Sequence, residues 1–239
     1  MTCIVLIPIY KTQLSIDEER NIKDSLTYLP SRLCEISFLA PVNIPKEYYE
    51  SEFSSIRFSF FEPTYFRSVN DYSRLLLDHS FYRSFVGFDH MLILQTDAVV
   101  LLPTLDYWLS EPYDYIGAPW MKGWQFDMPV RLGGQLEMIS LNGFVGNGGL
   151  SLRRIASILR LFEEFPDARK YFQDMGFPED LAISLMASLS RFFRVPTIGV
   201  ASCFSRETDR EIFDSLTSAK PFGLHIPQTS RYVAHQVSN

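Results

Sequence analysis

Four short runs rich in branched and aromatic residues punctuate the first 95 positions: "CIVLIPIY" from Cys3, "CEISFLA" from Cys34, "IRFSFF" from Ile56 and "HMLILQ" from His90. Longer amphipathic stretches separate them. Strands alternating with helical segments are joined by crossovers, so the pattern predicts an α/β chain with a central, mainly parallel sheet covered by helices on both faces. A chain of 239 residues fits a single domain over 1–239 better than two small ones.

Between these runs, "EERNIKDSLTYL" reads as a helix starting near Asp17, with Ile22, Leu26 and Leu29 on one face and Pro30 ending it. "SVNDYSRLLLDHSFYRSF" reads as one long helix whose stripe includes Val69, Tyr72, Leu75, Leu76 and His79. His79 has no second ligand at metal-binding spacing on that helix, so it is read as a half-buried helix residue. "PTLDYWL" suggests a short helix and "YDYIGAPW" a strand ending at Ala118-Pro119.

From Met121 to Gly143 the glycines follow no period, which predicts a flexible connection or a lid. "VGNGGLSL" resumes strand character, and "RRIASILRLFEEF" and "PEDLAISLMASL" read as helices, the second with Pro178 in its first turn. "VPTIGVA" is expected to be a late strand, "AKPFGLHIP" a closing loop and "AHQVSN" a loose end.

A formal charge of −6 with no conspicuous Lys/Arg cluster argues against a general nucleic-acid binder, while leaving room for a local basic patch. The three cysteines are too widely spaced for a disulfide framework or a zinc pattern, which fits a reducing cytoplasm. No stretch reads as a transmembrane span, and "MTCIVLIPIY" reads as a first strand rather than a leader. The expected location is cytoplasmic, with peripheral attachment to a membrane as the other option.

Four features carry chemistry. Asp97 follows an apolar strand at the kind of sheet edge where open α/β folds bind ligands, though it could equally cap the next element. "GNGGLS" leaves backbone unshielded at Gly146, Gly148 and Gly149, free to approach a ligand or to take positive φ. In "PED", one of Glu179 and Asp180 can balance the helix dipole while the other faces a cleft as a base. His225, between Pro and Gly residues in "PFGLHIP", is more easily explained as a ligand than as core packing.

The ordered set "PIYK", "LQTDAVVL", "YDYIGAPW", "VGNGGLSLR", "PED", "ASCFSRE" and "PFGLH" closely resembles an uncharacterised family of glycosyltransferase-like proteins with the GT-A fold, over nearly the whole chain. The resemblance implies that the mostly parallel central sheet is mixed. It implies a hexosyltransferase-like enzyme of polysaccharide biosynthesis, taking a sugar from a nucleotide-diphosphate donor, UDP-linked by expectation, to a hydroxyl of a glycan, lipid-linked or other acceptor. It also implies Pro8 and Tyr10 at the nucleotide base, Thr96 and Asp97 at the diphosphate, and Asn147, Gly148 and Gly149 at the donor sugar or acceptor. Asp97 and His225 would hold a divalent Mn or Mg, and Asp180 would be the catalytic base of an inverting reaction. One departure stands out. Thr96-Asp97-Ala98 lacks the second carboxylate of a "DxD" motif, which leaves room for a metal-independent variant, or for an inactive nucleotide-sugar-binding protein acting as a partner or regulator.

Overall fold

The computed structural model describes residues 1–132 and 135–226. In chain order its strands are β1 (Cys3–Pro8), β2 (Cys34–Pro41), β3 (Arg57–Phe61), β4 (His90–Leu94), β5 (Ala98–Val100), β6 (Tyr115–Ile116), β7 (Pro119–Leu132), β8 (Gln135–Val145), β9 (Leu150–Arg154), β10 (Ser205–Arg206) and β11 (Gly223–His225). Its helices are α1 (Ile16–Tyr28), α2 (Glu47–Glu52), α3 (Val69–Leu76), α4 (His79–Arg83), α5 (Leu105–Ser110), α6 (Ile155–Glu164), α7 (Pro166–Met175), α8 (Glu179–Leu189), α9 (Ile198–Phe204) and α10 (Arg210–Leu216).

The four apolar runs are the parallel strands β1 to β4, and the main sheet has the order β3-β2-β1-β4-β9-β6, with β9 antiparallel to both of its neighbours. β1 and β4 lie in the middle and are buried throughout, because helices cover both faces. One apolar cluster joins Val5, Ile7 and Leu92 to Ile22 of α1; the other joins Ile4, Leu6 and Ile93 to Ile158, Ile183 and Met186 of α6 and α8. Each such side chain contributes about 1.5–3 kcal/mol of transfer free energy. β10, β11 and β5 form a small second sheet, and β7 pairs with β8 as a hairpin.

Several expectations are corrected by the structure. The cap of α1 is Ser15, not Asp17: the Ser15 side chain accepts from the Glu18 N–H and Glu18 returns the bond to the Ser15 N–H, so two otherwise orphaned donors are satisfied at once. The stretch 68–85 is two helices, because the Asp78 carboxylate accepts from the Ser80 N–H at 2.8 Å and restarts the chain as α4. The segment 121–143 is not an unpaired connection: its described residues belong to the antiparallel hairpin β7-β8, whose ladder supplies their backbone partners. Gly133 and Gly134 of that segment, and "AHQVSN", lie outside the described residues.

"VPTIGVA" contributes to helix α9 rather than to a strand; Ala201, Ser202 and Phe204 bury, and Phe204 packs on Trp108 and Phe222 at ring-centroid distances of 5.3 and 5.2 Å. "AKPFGLHIP" is not all loop, since its centre is β11. Pro178 stands at the N-cap of α8, one position before its first turn. Among the described residues, no helix is long and apolar enough to cross a membrane.

Candidate active site

The second sheet explains how distant residues meet. β11 runs antiparallel to β5 with His225 opposite Ala98, next to Asp97, and parallel to β10 with Leu224 opposite Arg206, so Glu207 follows alongside His225. The imidazole therefore lies between two carboxylates: Nε2 is 3.1 Å from Asp97 Oδ1 and Nδ1 is 2.6 Å from Glu207 Oε2. Burial alone would push the imidazole pKa down, but the two acids outweigh it and hold it at about 9. His225 is thus an imidazolium at neutral pH and must give up the Nε2 proton before it can bind a cation.

The donor set fits one. Once Nε2 loses its proton, Glu207 would hold the one on Nδ1, the usual support behind a ligating histidine, with Nε2 and Asp97 Oδ1 3.1 Å apart. Among the described residues, no group of three or more His, Cys, Asp or Glu side chains is arranged to hold a metal ion. A cation here would have two protein ligands, and Mg or Mn commonly completes such a shell with water and substrate oxygens.

The glycine loop runs from this pair to Asp180. The Gly149 carbonyl accepts from the Gln95 N–H at 2.9 Å, and the Gly148 N–H donates to Asp180 Oδ2 at 2.8 Å. Gly146, Gly148 and Gly149 do not use the freedom to take positive φ; within this loop it is Asn147 that does, at 28°. Glycine is required for space instead. A Cβ at Gly149 would overlap the His225 ring, and one at Gly148 would come within 2.7 Å of Glu179 Oε1.

Gly149→Ala is accordingly expected to destabilise the protein by about 1–3 kcal/mol in urea unfolding, the usual cost of overpacking. Adding His225→Ala should relieve most of that cost. An unchanged penalty in the double variant would contradict the packing explanation.

"PED" divides its two acids between two tasks. Glu179 is buried and pairs with Arg153 Nη2 at 2.7 Å, and that guanidinium, fully buried, also donates to the Tyr82 hydroxyl at 2.8 Å and to Ser151 Oγ. Asp180, partly exposed, accepts from Gly148 N–H and from its own neighbour Leu181 N–H. Desolvation, and then the negative charge of Glu179, push its pKa up to about 7, against the two backbone bonds that lower it. It is therefore a carboxylate poised to exchange a proton near neutral pH.

At the other flank, Pro8 ends β1 and is buried, while Tyr10, 63% exposed, presents an open ring just beyond it. The Thr96 hydroxyl donates to Glu18 Oε1 at 2.7 Å, and Lys11 Nζ is bonded to the same oxygen at 2.8 Å. Burial raises the Glu18 pKa, yet the bonds from Lys11, Ser15 and Thr96 prevail and hold it at about 2. Glu18 thus ties the Tyr10-Lys11 turn to the Asp97 edge. Asn147 Nδ2 is buried without a hydrogen-bond partner, an unused donor beside the loop.

A mainly apolar groove of about 490 Å³ lies one helical turn beyond Asp180, lined by Phe144, Val145, Ser184, Val195, Pro196 and Ile198 among others. Glu207, Glu18 and Arg153 were not singled out as functional from sequence. Glu207 and Arg153 did fall inside quoted motifs, but their partners depend on strand register and helix packing, which a motif does not display.

Residues 55–225 match a family described as a protein of unknown function (DUF5672). No curated protein matches in sequence. Among solved structures, galactosyltransferase LgtC in complex with donor and acceptor sugar analogs superimposes with a TM-score of 0.57 at 15% identity, over 95% of this chain and 87% of that one. Mouse xyloside xylosyltransferase 1 in its apo form gives 0.54 at 10% identity, over 96% and 98%. The bifunctional glycosyltransferase WbbM gives 0.54 at 11%, over 94% of this chain and 45% of its own. At these identities the likeness establishes the fold, that of GT-A glycosyltransferases.

Proposed function

The chain belongs to the DUF5672 family of proteins of unknown function, and we propose that it is a glycosyltransferase that moves a sugar from a nucleotide-diphosphate donor, UDP-linked in our reading, to an acceptor hydroxyl with inversion at the anomeric carbon. The observation that carries this reading is the convergence of Asp97, His225, the 147–149 loop and Asp180 at the strand ends of a GT-A fold. Asp97 and His225 would hold Mn or Mg, which when bound would neutralise charge on the departing diphosphate.

The remaining parts take their tasks from position. Tyr10 offers its exposed ring to the nucleotide base, with Pro8 behind it. Asn147 Nδ2 and the backbone of Gly148 and Gly149 face the donor sugar, where an unpartnered donor and absent side chains allow close approach. The acceptor enters from the side of the apolar groove. Asp180 takes the proton from its hydroxyl as that oxygen attacks the anomeric carbon and the bond to the diphosphate breaks.

Calorimetry with UDP tests the donor end. Asp97→Ala is expected to cost at least the roughly 10–100-fold that loss of a supporting residue behind a metal ligand costs, and to cost it only when Mn is present. Equal UDP affinity with and without Mn in the unsubstituted protein would remove the cation from this reading.

A further inference from the structure

At the other end of the strands from Asp97, a cavity of about 500 Å³ opens between α6 and the loop that follows α8, and four arginines line it, Arg154, Arg160, Arg191 and Arg194, against two carboxylates, Asp114 and Glu164. The location follows from register: Arg154 stands opposite His90 at the start of β4, whereas Asp97 lies beyond its end. In a chain of net charge −6, this concentration of guanidinium groups runs against the average.

The two acids already have work. Asp114 accepts from the Arg194 backbone N–H at 2.8 Å and from Ser157 Oγ at 2.6 Å, with Arg154 Nε at 3.4 Å. Glu164 accepts from Ser190 Oγ at 2.7 Å, and that oxygen in turn accepts from the N–H groups of Phe192 and Phe193. These bonds fix the backbone of the loop and neutralise Arg154. Among the described residues, Arg160, Arg191 and Arg194 have no carboxylate within ion-pair distance. Arg160 rests instead on the face of Phe192, 4.3 Å from the ring centroid, and that ring is 61% exposed.

We propose that this cavity is a binding site for a phosphate-bearing ligand, held by the guanidinium groups of Arg160, Arg191 and Arg194. Planar forks carried by a helix and a loop that line one cavity suit an anion whose several oxygens can each accept two donors. The cavity is larger than a phosphate group alone, and the exposed Phe192 at its edge gives the rest of the ligand an apolar contact. A lipid headgroup and a soluble phosphate ester share this chemistry.

The test compares the unsubstituted protein with the triple variant R160A/R191A/R194A, whose three side chains are exposed, and with the charge-matched control R57A/R83A/K170A. One arm titrates inorganic phosphate by calorimetry. The other measures co-sedimentation with vesicles of phosphatidylcholine alone and of an equimolar mixture with phosphatidylglycerol. If each arginine contributes roughly fivefold at an anionic surface, sedimentation with the mixed vesicles falls about 100-fold in the triple variant and little in the control. Loss of phosphate binding in the triple variant, with no vesicle binding by any form, assigns the site to a soluble ligand. A triple variant that matches the unsubstituted protein in both arms overturns the proposal. So does a control that loses as much as the triple variant.

Discussion

Asp180→Asn is expected to lower transfer by about 100-fold or more, the contribution of a positioned general base, while leaving UDP affinity unchanged. The amide keeps the shape of the carboxylate and one of its backbone contacts, but it cannot take a proton. The pH profile carries a second part of the same expectation. With the Asp180 pKa raised to about 7, kcat/KM of the unsubstituted protein should fall below that pH if Asp180 is the base, as it becomes protonated.

Stability should move in the opposite sense. An aspartate in the unfolded chain titrates near 4, so between pH about 4 and about 7 the folded state holds a proton that the unfolded state has released. Stability from this group is present at the acid end of that window and is lost as pH rises through it. The melting temperature of the unsubstituted protein should therefore fall relative to the Asn variant across the window. Full turnover in Asp180→Asn would remove this residue from the mechanism, and a pH-independent difference in melting temperature would reject the raised pKa.

The reasons why parts of this arrangement were legible in sequence differ element by element. β1 to β4 declare themselves because strands buried on both faces must be apolar at nearly every position, and "CIVLIPIY" and "HMLILQ" have few other uses. Asp97 was visible because a charge that ends such a run stands out. α9 was not. The branched residues of "VPTIGVA", Val195 before the helix and Ile198 and Val200 within it, suggest a strand, and only packing of Phe204 against Trp108 and Phe222 decides otherwise.

The β7-β8 hairpin was hidden for a related reason: glycines and prolines interrupt its alternation, and the pairing that makes it a hairpin is a property of two segments together. The same holds for the site. His225 was identifiable as a residue without an evident packing role, but its two acids come from just after β10 and just before β5, and only the three-strand register brings them to its two nitrogens. The partners of the two acids in "PED" were open in sequence: Glu179 pairs with Arg153, and Asp180 accepts from the Gly148 N–H.

Arg153 and Glu179 form the pair whose disruption should have the largest effect on stability. With the arginine side chain 0% and the glutamate side chain 9% exposed, neither charge can recover hydration if its partner is lost. Glu179→Ala is expected to destabilise the protein by about 3–5 kcal/mol in urea unfolding, the usual result of leaving a buried charge alone. The double change Arg153→Met/Glu179→Leu should recover most of that loss, because well-packed apolar groups replace a buried pair at little net cost. A single-variant loss below about 1 kcal/mol would show that the pair is not the buried anchor described.

The pair also reaches the chemistry. Glu179 is the second cause, after desolvation, of the raised Asp180 pKa, so Glu179→Gln should move the acid limb of the pH profile downward while a positive Arg153 remains hydrogen-bonded to Tyr82 and Ser151. A purely structural glutamate would change stability and leave that limb where it was. Stability and acidity thus read two consequences of one buried charge, and only a glutamate whose charge reaches Asp180 moves both.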